Sequence, residues 1–280
     1  MSTHVNSITL RHADGERVVP VVAQSSDLDI PGVLAFPPFR EWVARLQTQV
    51  AHPQVLPDPL VVHRITLQSI DKFHNNRIGF VKFSVEASFQ NSKAKAPGIV
   101  FMRGGSICIL LILKAKDSPP GASTQEWVVL TQQPRLAIAD LAFTELPAGM
   151  LDGEGQFQGK AAQELYEETG LRVRDDELVD MTQLAFPAPS NTDSTHPTGV
   201  YLSPGGCDEF MRIFLCRKLL PQADIDALRG KLTGLRDQGE HISLKLCPLS
   251  DLWKATPDAK ALAAWALYSN LHAEGRLPTD

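Results

Sequence analysis

Gly159-Lys-Ala-Ala-Gln-Glu-Leu-Tyr-Glu-Glu-Thr-Gly-Leu171 decides how the rest of the chain is read. Its spacing predicts a helix from about Gly159 to Thr169. Ala161 and Leu165 lie four apart, as do Ala162 and Tyr166, which gives an apolar face to bury. Gly170 followed by Leu171 reads as a helix stop, a glycine that can turn left-handed with a hydrophobic residue beyond it. The remaining face carries Glu164, Glu167 and Glu168 within about one turn. Like charges at these spacings destabilise a helix by roughly 0.2–0.5 kcal/mol per pair. Glu167 and Glu168 also occupy the last turn, where the helix dipole disfavours anions. A solvated acidic face is the ordinary outcome of such a string. Its place against the helix stop, with no basic residue interleaved, weighs against that outcome, and a hard divalent cation, Mg²⁺ or Mn²⁺, which prefers carboxylate oxygens, would relieve the repulsion.

Around this helix the text is mostly β. Ile107-Cys-Ile-Leu-Leu-Ile-Leu113 is the longest apolar run. It suits a buried strand and falls far short of the roughly 20 residues that span a bilayer. Ile107–Lys114 and Trp127–Thr131 read as a hairpin with a long connection, followed by strands at Ala142–Leu146, Met211–Arg217 and Ile242–Leu246. A C-terminal helix is expected with Thr256 as N-cap, Pro257 at its first position, Asp258 in its first turn and Gly275 as its stop. Its expected buried face is Leu262, Trp265, Ala266 and Ser269, widened by Leu267 and Leu271. Upstream, Trp42, Leu46 and Val50 mark one stripe of a short helix, and Pro53, Pro57 and Pro59 mark a connector. Val61–Leu67 and Arg77–Ala87 read as strands of a small β unit over residues 60–90. The expected organisation is an N-terminal β-rich region, 1–97, ahead of a main domain, 98–280. The class is α+β with a mixed sheet.

Composition excludes several classes. The 280 residues are 43% hydrophobic and 21% charged, and 27 basic residues against 32 acidic ones leave a net charge of −5. With no long basic run, no nucleic-acid footprint is present. Cys108, Cys207, Cys216 and Cys247 lack the CxxC spacing of a zinc site and read as reduced thiols. The first thirty residues hold no apolar block and lack the basic, Ser-rich look of a transit peptide, so cytoplasm is the expected compartment and no membrane partner is expected.

Gly149, together with Gln163-Glu-Leu-Tyr-Glu-Glu-Thr-Gly-Leu171, resembles the signature of the Nudix hydrolases, GX5EX7REUXEEXGU, with U a bulky aliphatic residue. The resemblance is closer to the ADP-sugar diphosphatase branch, which includes plant plastid enzymes. It is carried by Glu145-Leu-Pro-Ala-Gly-Met-Leu151, Ser203-Pro-Gly-Gly-Cys-Asp-Glu209, the stretch Gly230–Glu240, Asp251-Leu-Trp-Lys254 and Asp258-Ala-Lys260. It implies the Nudix fold, a mixed β-sheet sandwiched between helices, and a metal-dependent hydrolase that converts ADP-sugars such as ADP-glucose or ADP-ribose to AMP and a sugar phosphate. A homodimer, with residues 60–90 packed on the partner, is implied as well.

The same resemblance assigns roles. Glu164 and Glu168 become the leading metal ligands and catalytic groups, with Glu167 third and the carbonyl of Ala148 as a backbone ligand. Glu240, at the end of the Asp237-Gln-Gly-Glu240 loop, becomes a ligand or the general base. Arg135 suits a bidentate contact to the diphosphate. Glu145 is placed to orient Arg135 or to reach a water at the metal site. The Ser203-Pro-Gly-Gly206 turn, with Ser203, Gly205 and Gly206 toward the substrate and a glycine expected at positive φ, borders the site. Trp42, Phe80 and Phe83 are the candidates for an adenine platform. Two positions depart from the pattern: Gly155 stands where it has Glu, with Glu154 one residue early, and Gln163 stands where it has Arg. These departures favour one alternative, a catalytically weak or inactive Nudix-like sensor of nucleotide sugars; a Nudix hydrolase of another nucleoside diphosphate derivative is a second.

Overall fold

The computed structural model describes residues 6–12, 14–51, 56–73, 76–117, 125–151, 157–187, 198–235 and 240–278. Glu154 and Gly155 lie outside the described residues. The chain divides into two compact units, the first built chiefly from Met1–Gly105 with Ser203–Glu209, the second from Ser106–Ala188, Thr198–Leu202 and Phe210–Asp280.

In the first unit β1 (Ser7–His12), β2 (Gly15–Ala23), β3 (Leu60–Lys72), β4 (Ile78–Phe89) and β5 (Ile99–Met102) form one sheet in that order. Two helices, α1 (Ile30–Ala35) and α2 (Pro37–Ala51), accompany it. Residues 1–55, irregular or mixed by sequence, thus contain two strands as well as the expected helix. Trp42, Leu46 and Val50 of α2 form the expected stripe and pack on a core that includes Phe39, Ile65, Leu67 and Phe83. Phe83 is fully buried there, with Phe39 and Trp42 rings edge-on at 5.7 and 5.2 Å, so it is a core residue and cannot be an adenine platform. Phe80 instead stacks on the part-exposed Phe101 of β5. Because β5 pairs with β4, residues 99–102 extend the first sheet.

The second unit holds β6 (Ser106–Ala115), β7 (Glu126–Arg135), β8 (Asp140–Glu145), β9 (Ala148–Met150), α3 (Phe157–Thr169), β10 (Leu178–Asp180), α4 (Met181–Ala185), β11 (Val200–Tyr201), β12 (Phe210–Leu220), α5 (Gln222–Ala227), β13 (Leu232–Thr233), β14 (Ile242–Pro248), α6 (Leu252–Ala255) and α7 (Ala259–Ala273). Among the described residues the sheet runs β10-β12-β6-β7-β14-β13, with β11 on β12, β8 on β7 and β9 on β6. Only β12 and β6 pair in parallel, so the sheet is mixed.

The unbroken apolar run explains why β6 is central. Successive side chains of a strand point to opposite faces, so a strand covered on both sides reads as continuous hydrophobics. Cys108, Leu110 and Ile112 face one core, shared with Ala261, Ala264 and Leu271 of α7. Ile107, Ile109, Leu111 and Leu113 face the other, shared with Ala161 and Leu165 of α3. Helices therefore cover both faces, the layering of the Nudix fold, and α3 is seated by its own apolar pair.

Three local expectations shift. The N-cap of α7 is Asp258, whose carboxylate accepts the Lys260 N–H, while the Thr256 hydroxyl donates to the Thr144 carbonyl and accepts the N–H of Asp258 itself, two residues too early to cap the helix. The buried face of α7 is rotated to Lys260, Ala261, Ala264 and Leu271, with Leu262 and Ala266 exposed. Ala261 and Ala264 let the helix lie close to the sheet, which larger side chains would prevent. On α3, Tyr166 is 46% exposed under Arg172, and Glu168 and Thr169 take the buried positions. The glycine stops hold as expected: Gly170 and Gly275 have φ of +75° and +65°.

Candidate functional site

Glu145 ends β8, the turn through Leu146 and Pro147 enters β9, and β9 lies along β6 in front of α3. The ladder bond from Ile109 N–H to the Pro147 carbonyl makes Cys108 and Ala148 a non-hydrogen-bonded pair. The N–H and C=O of Ala148 therefore turn away from β6. The N–H reaches Glu168, donating to its carboxylate at 3.0 Å, and the carbonyl expected to bind metal opens on the same side of the strand. One residue on, a Cβ at Gly149 would overlap the carboxyl of Glu164. Glycine is required here by the close approach of β9 to that side chain.

Each carboxylate has its own donor. Glu164 pairs with Lys160 one turn back, Nζ to Oε1 at 2.8 Å. Glu167 accepts from the Gln163 amide at 2.8 Å. Glu168 accepts from Ala148, and Glu240 accepts the Leu235 N–H at 3.3 Å. The C-terminal carbonyls of α3 are met by neutral groups of the segment that leads to Glu240: the Thr233 hydroxyl donates to the Glu168 carbonyl and the Gly234 N–H to that of Glu167. Thus β13 ties the loop of Glu240 to the acidic end of the helix.

A solvated acidic face does not describe this geometry. Glu168 is only 6% exposed, and burial, reinforced by the charge of Glu164, pushes its carboxyl up to about 8. Burial likewise raises Glu164, opposed by Lys160 and aided by Glu167 and Glu240. Buried Glu168 and part-buried Glu164 are thus both raised, and the one ammonium on Glu164, from Lys160, does not offset both; a divalent cation held by hard oxygen donors would. Among the described residues no three His, Cys, Asp or Glu side chains stand as a ready ligand set, since each carboxylate is drawn to a separate donor. The donor chemistry, carboxylate and carbonyl oxygens, fits Mg²⁺ or Mn²⁺, and Glu164, Glu167, Glu168, Glu240 and the Ala148 carbonyl would hold it.

Beside the acids lies an ion network. Arg135 Nε donates to Glu145 Oε1 at 2.6 Å, and Glu145 is buried with its other oxygen on Lys260 Nζ. Lys260 also reaches Asp258 Oδ1 at 3.2 Å, and Asp258 accepts the Leu146 N–H at 3.3 Å. Burial works against the Lys260 ammonium, but Asp258 and Glu145 hold it above the ordinary lysine value. The network fixes Arg135 by one edge of its guanidinium while the side chain remains 42% exposed. Lys160, Lys260 and Asp258 are parts of the site that the sequence reading did not assign. The four-residue step from Lys160 to Glu164 was legible; the partner of Lys260 lies 115 residues away.

Ser203, Gly205 and Gly206 belong to the other unit. Their turn closes by N–H bonds from Gly206 and Cys207 to the Ser203 carbonyl, and Phe101 N–H donates to the Gly206 carbonyl at 2.7 Å. The Asp208 carboxylate accepts the Arg103 N–H at 2.7 Å. Neither glycine adopts the expected positive φ, because successive right-handed turn bonds close the loop without it, and a Cβ at either would meet nothing within 4 Å.

A family model for the NUDIX domain matches residues 100–266. The chain is 36% identical over 277 residues to Nudix hydrolase 14, chloroplastic, of Arabidopsis thaliana, covering 98% of this chain and 84% of that protein. A solved structure described as an ADP compounds hydrolase aligns at TM-score 0.47 and 16% identity, over 78% of this chain and 99% of that one.

Proposed function

Because the chain belongs to the Nudix hydrolase family, we propose that it hydrolyses the pyrophosphate bond of ADP-sugars such as ADP-glucose and ADP-ribose, releasing AMP and a sugar phosphate with Mg²⁺ or Mn²⁺ as cofactor. The burial of Glu168 beside Glu164, against a strand where only glycine fits, supports this reading most directly. Nothing in the packing of a solvated helix would place an acid there.

A diphosphate brings two negative charges, and the leaving phosphate gains more as the P–O bond breaks. Divalent cations supply neutralisation of that charge and a more acidic water. Glu164, Glu167, Glu168 and the Ala148 carbonyl hold the cation side of the site. Glu240, exposed at the end of its loop, accepts the proton of the attacking water. Arg135, gripped by Glu145 through Nε, presents the rest of its guanidinium to the phosphoryl oxygens. The water oxygen bonds to phosphorus, the bridging oxygen leaves with the departing phosphate, and the proton remains on Glu240. The reading includes a homodimer formed through residues 60–90. It also includes a cytoplasmic setting, which the four free thiols suit.

AMP release from ADP-glucose, ADP-ribose and a panel of other nucleoside diphosphate derivatives, with Mg²⁺ and with EDTA, tests the reading. Metal-dependent AMP release from the ADP-sugars is expected. Nucleotide binding without turnover on any compound would replace it with the sensor, and preference for another member of the panel would move the substrate.

A further inference from the structure

The charge pattern of α3 runs against the helix dipole at both ends. Lys160 stands in the first turn, where a cation is disfavoured, and Glu167 and Glu168 stand in the last. The pair Lys160–Glu164 is also in the weaker order for helix support, since an acid placed N-terminal to a base is the stabilising arrangement. Helix stability therefore does not explain the lysine. What distinguishes it is where its ammonium lies: 2.8 Å from Glu164 Oε1, with the two side chains only 19% and 15% exposed, on the carboxyl that β9 makes room for at Gly149.

We propose that Lys160 is the resident counter-ion of the metal-free site, holding the Glu164 carboxylate in place and competing with the divalent cation for it. The inference rests on the reading of Glu164 as a metal ligand. The cation is supplied from one turn before Glu164, whereas Gln163 contributes only a neutral amide, and that amide goes to Glu167. A cation that takes Oε1 displaces the Lys160 ammonium, and one that takes the other oxygen meets its positive charge, so either way that charge sets how much metal the site requires.

Mn²⁺ binding to the full chain, measured by electron paramagnetic resonance of the free ion, tests this with Lys160→Met and Lys160→Arg. The methionine keeps an unbranched stem and removes the charge; the arginine keeps the charge. Mn²⁺ should bind Lys160→Met about fivefold to tenfold more tightly than the wild type, and Lys160→Arg about as the wild type does. In EDTA the methionine variant should unfold at lower urea than the wild type, and saturating Mn²⁺ should close that gap. A purely structural ion pair would lower stability equally with and without Mn²⁺. Equal Mn²⁺ affinity in all three proteins overturns the role of Lys160 and leaves the metal site standing. Absence of Mn²⁺ binding in all three overturns the metal reading itself, and this inference with it.

Discussion

Glu168→Gln separates the electrostatic role of the buried acid from its structural one. In the absence of a cation, burial and then Glu164 hold the Glu168 carboxyl near about 8, against an ordinary 4.5. A group that ionises at higher pH in the folded chain than in the unfolded one favours folding while protonated. Its contribution is complete below the unfolded value and is lost as pH rises through the folded one. The slope approaches about 1.4 kcal/mol per pH unit between those limits and flattens at each, a few kcal/mol in all from about pH 5 to about pH 8. Glutamine keeps the shape, and its carbonyl oxygen can still accept the Ala148 N–H, but it does not titrate. Urea unfolding followed by circular dichroism in EDTA, at a series of pH values, should give a wild-type stability that falls away from the variant's by about that amount. Mg²⁺ should restore the wild type at high pH and leave the variant unchanged, and AMP release by the variant should fall by about 10²-fold or more. Parallel stability curves for the two proteins would refute the buried, charge-starved carboxylate. Full activity in Glu168→Gln would show that the acidic cluster does not bear on the chemistry.

Lys260→Met leaves Glu145 and Asp258 buried without their shared cation, so thermal unfolding should show a loss of about 3–5 kcal/mol. Because Arg135 then loses a fixed partner, KM for the ADP-sugar should rise more than kcat falls, and Lys260→Arg should recover part of both. Gly149→Ala forces the Glu164 carboxyl off its position; calorimetric Mn²⁺ affinity should drop by about tenfold or more with an unchanged circular dichroism spectrum. Gln163→Arg replaces the amide on Glu167 with a charged fork, and the Mg²⁺-dependent rate should be preserved or improved. A sharp loss in that variant would mean that the site is arranged around glutamine.

Much of the fold was legible because it rests on patterns that one segment carries alone. The run Ile107–Leu113 has no polar side, so it had to be covered on both faces, and it is. The stop at Gly170 needs only a left-handed residue and a hydrophobic follower, and Gly170 has φ +75°. Legibility ended where a residue's partner is distant in sequence. Thr256 has the chemistry of an N-cap, but its hydroxyl, anchored on the distant Thr144 carbonyl, accepts the Asp258 N–H ahead of the helix, and the cap passes to Asp258. Nothing in the sequence around Lys260 shows its ion pair, because Glu145 comes from β8, 115 residues away. Periodicity likewise ranks Tyr166 above Glu168 for burial, since it counts hydrophobicity and knows nothing of β9.

That inversion on α3 connects the fold to the site. Hydrophobic sorting would bury Tyr166 and expose Glu168; the helix does the reverse and loses transfer free energy by it. It is held in this rotation by Ala161 and Leu165 against the β6 face and by Thr233 and Gly234 on its last carbonyls. Those last donors are neutral and no basic residue stands in the last turn itself, so the final carbonyls are satisfied without a charged donor, although the Lys231 ammonium lies close to Gly170. A Lys or Arg donating to those carbonyls would have set a further positive charge beside Glu167 and Glu168 and weakened the site for a cation. The local conflict is therefore concentrated on the groups assigned to chemistry, which is where a sequence otherwise consistent with its fold departs from consistency.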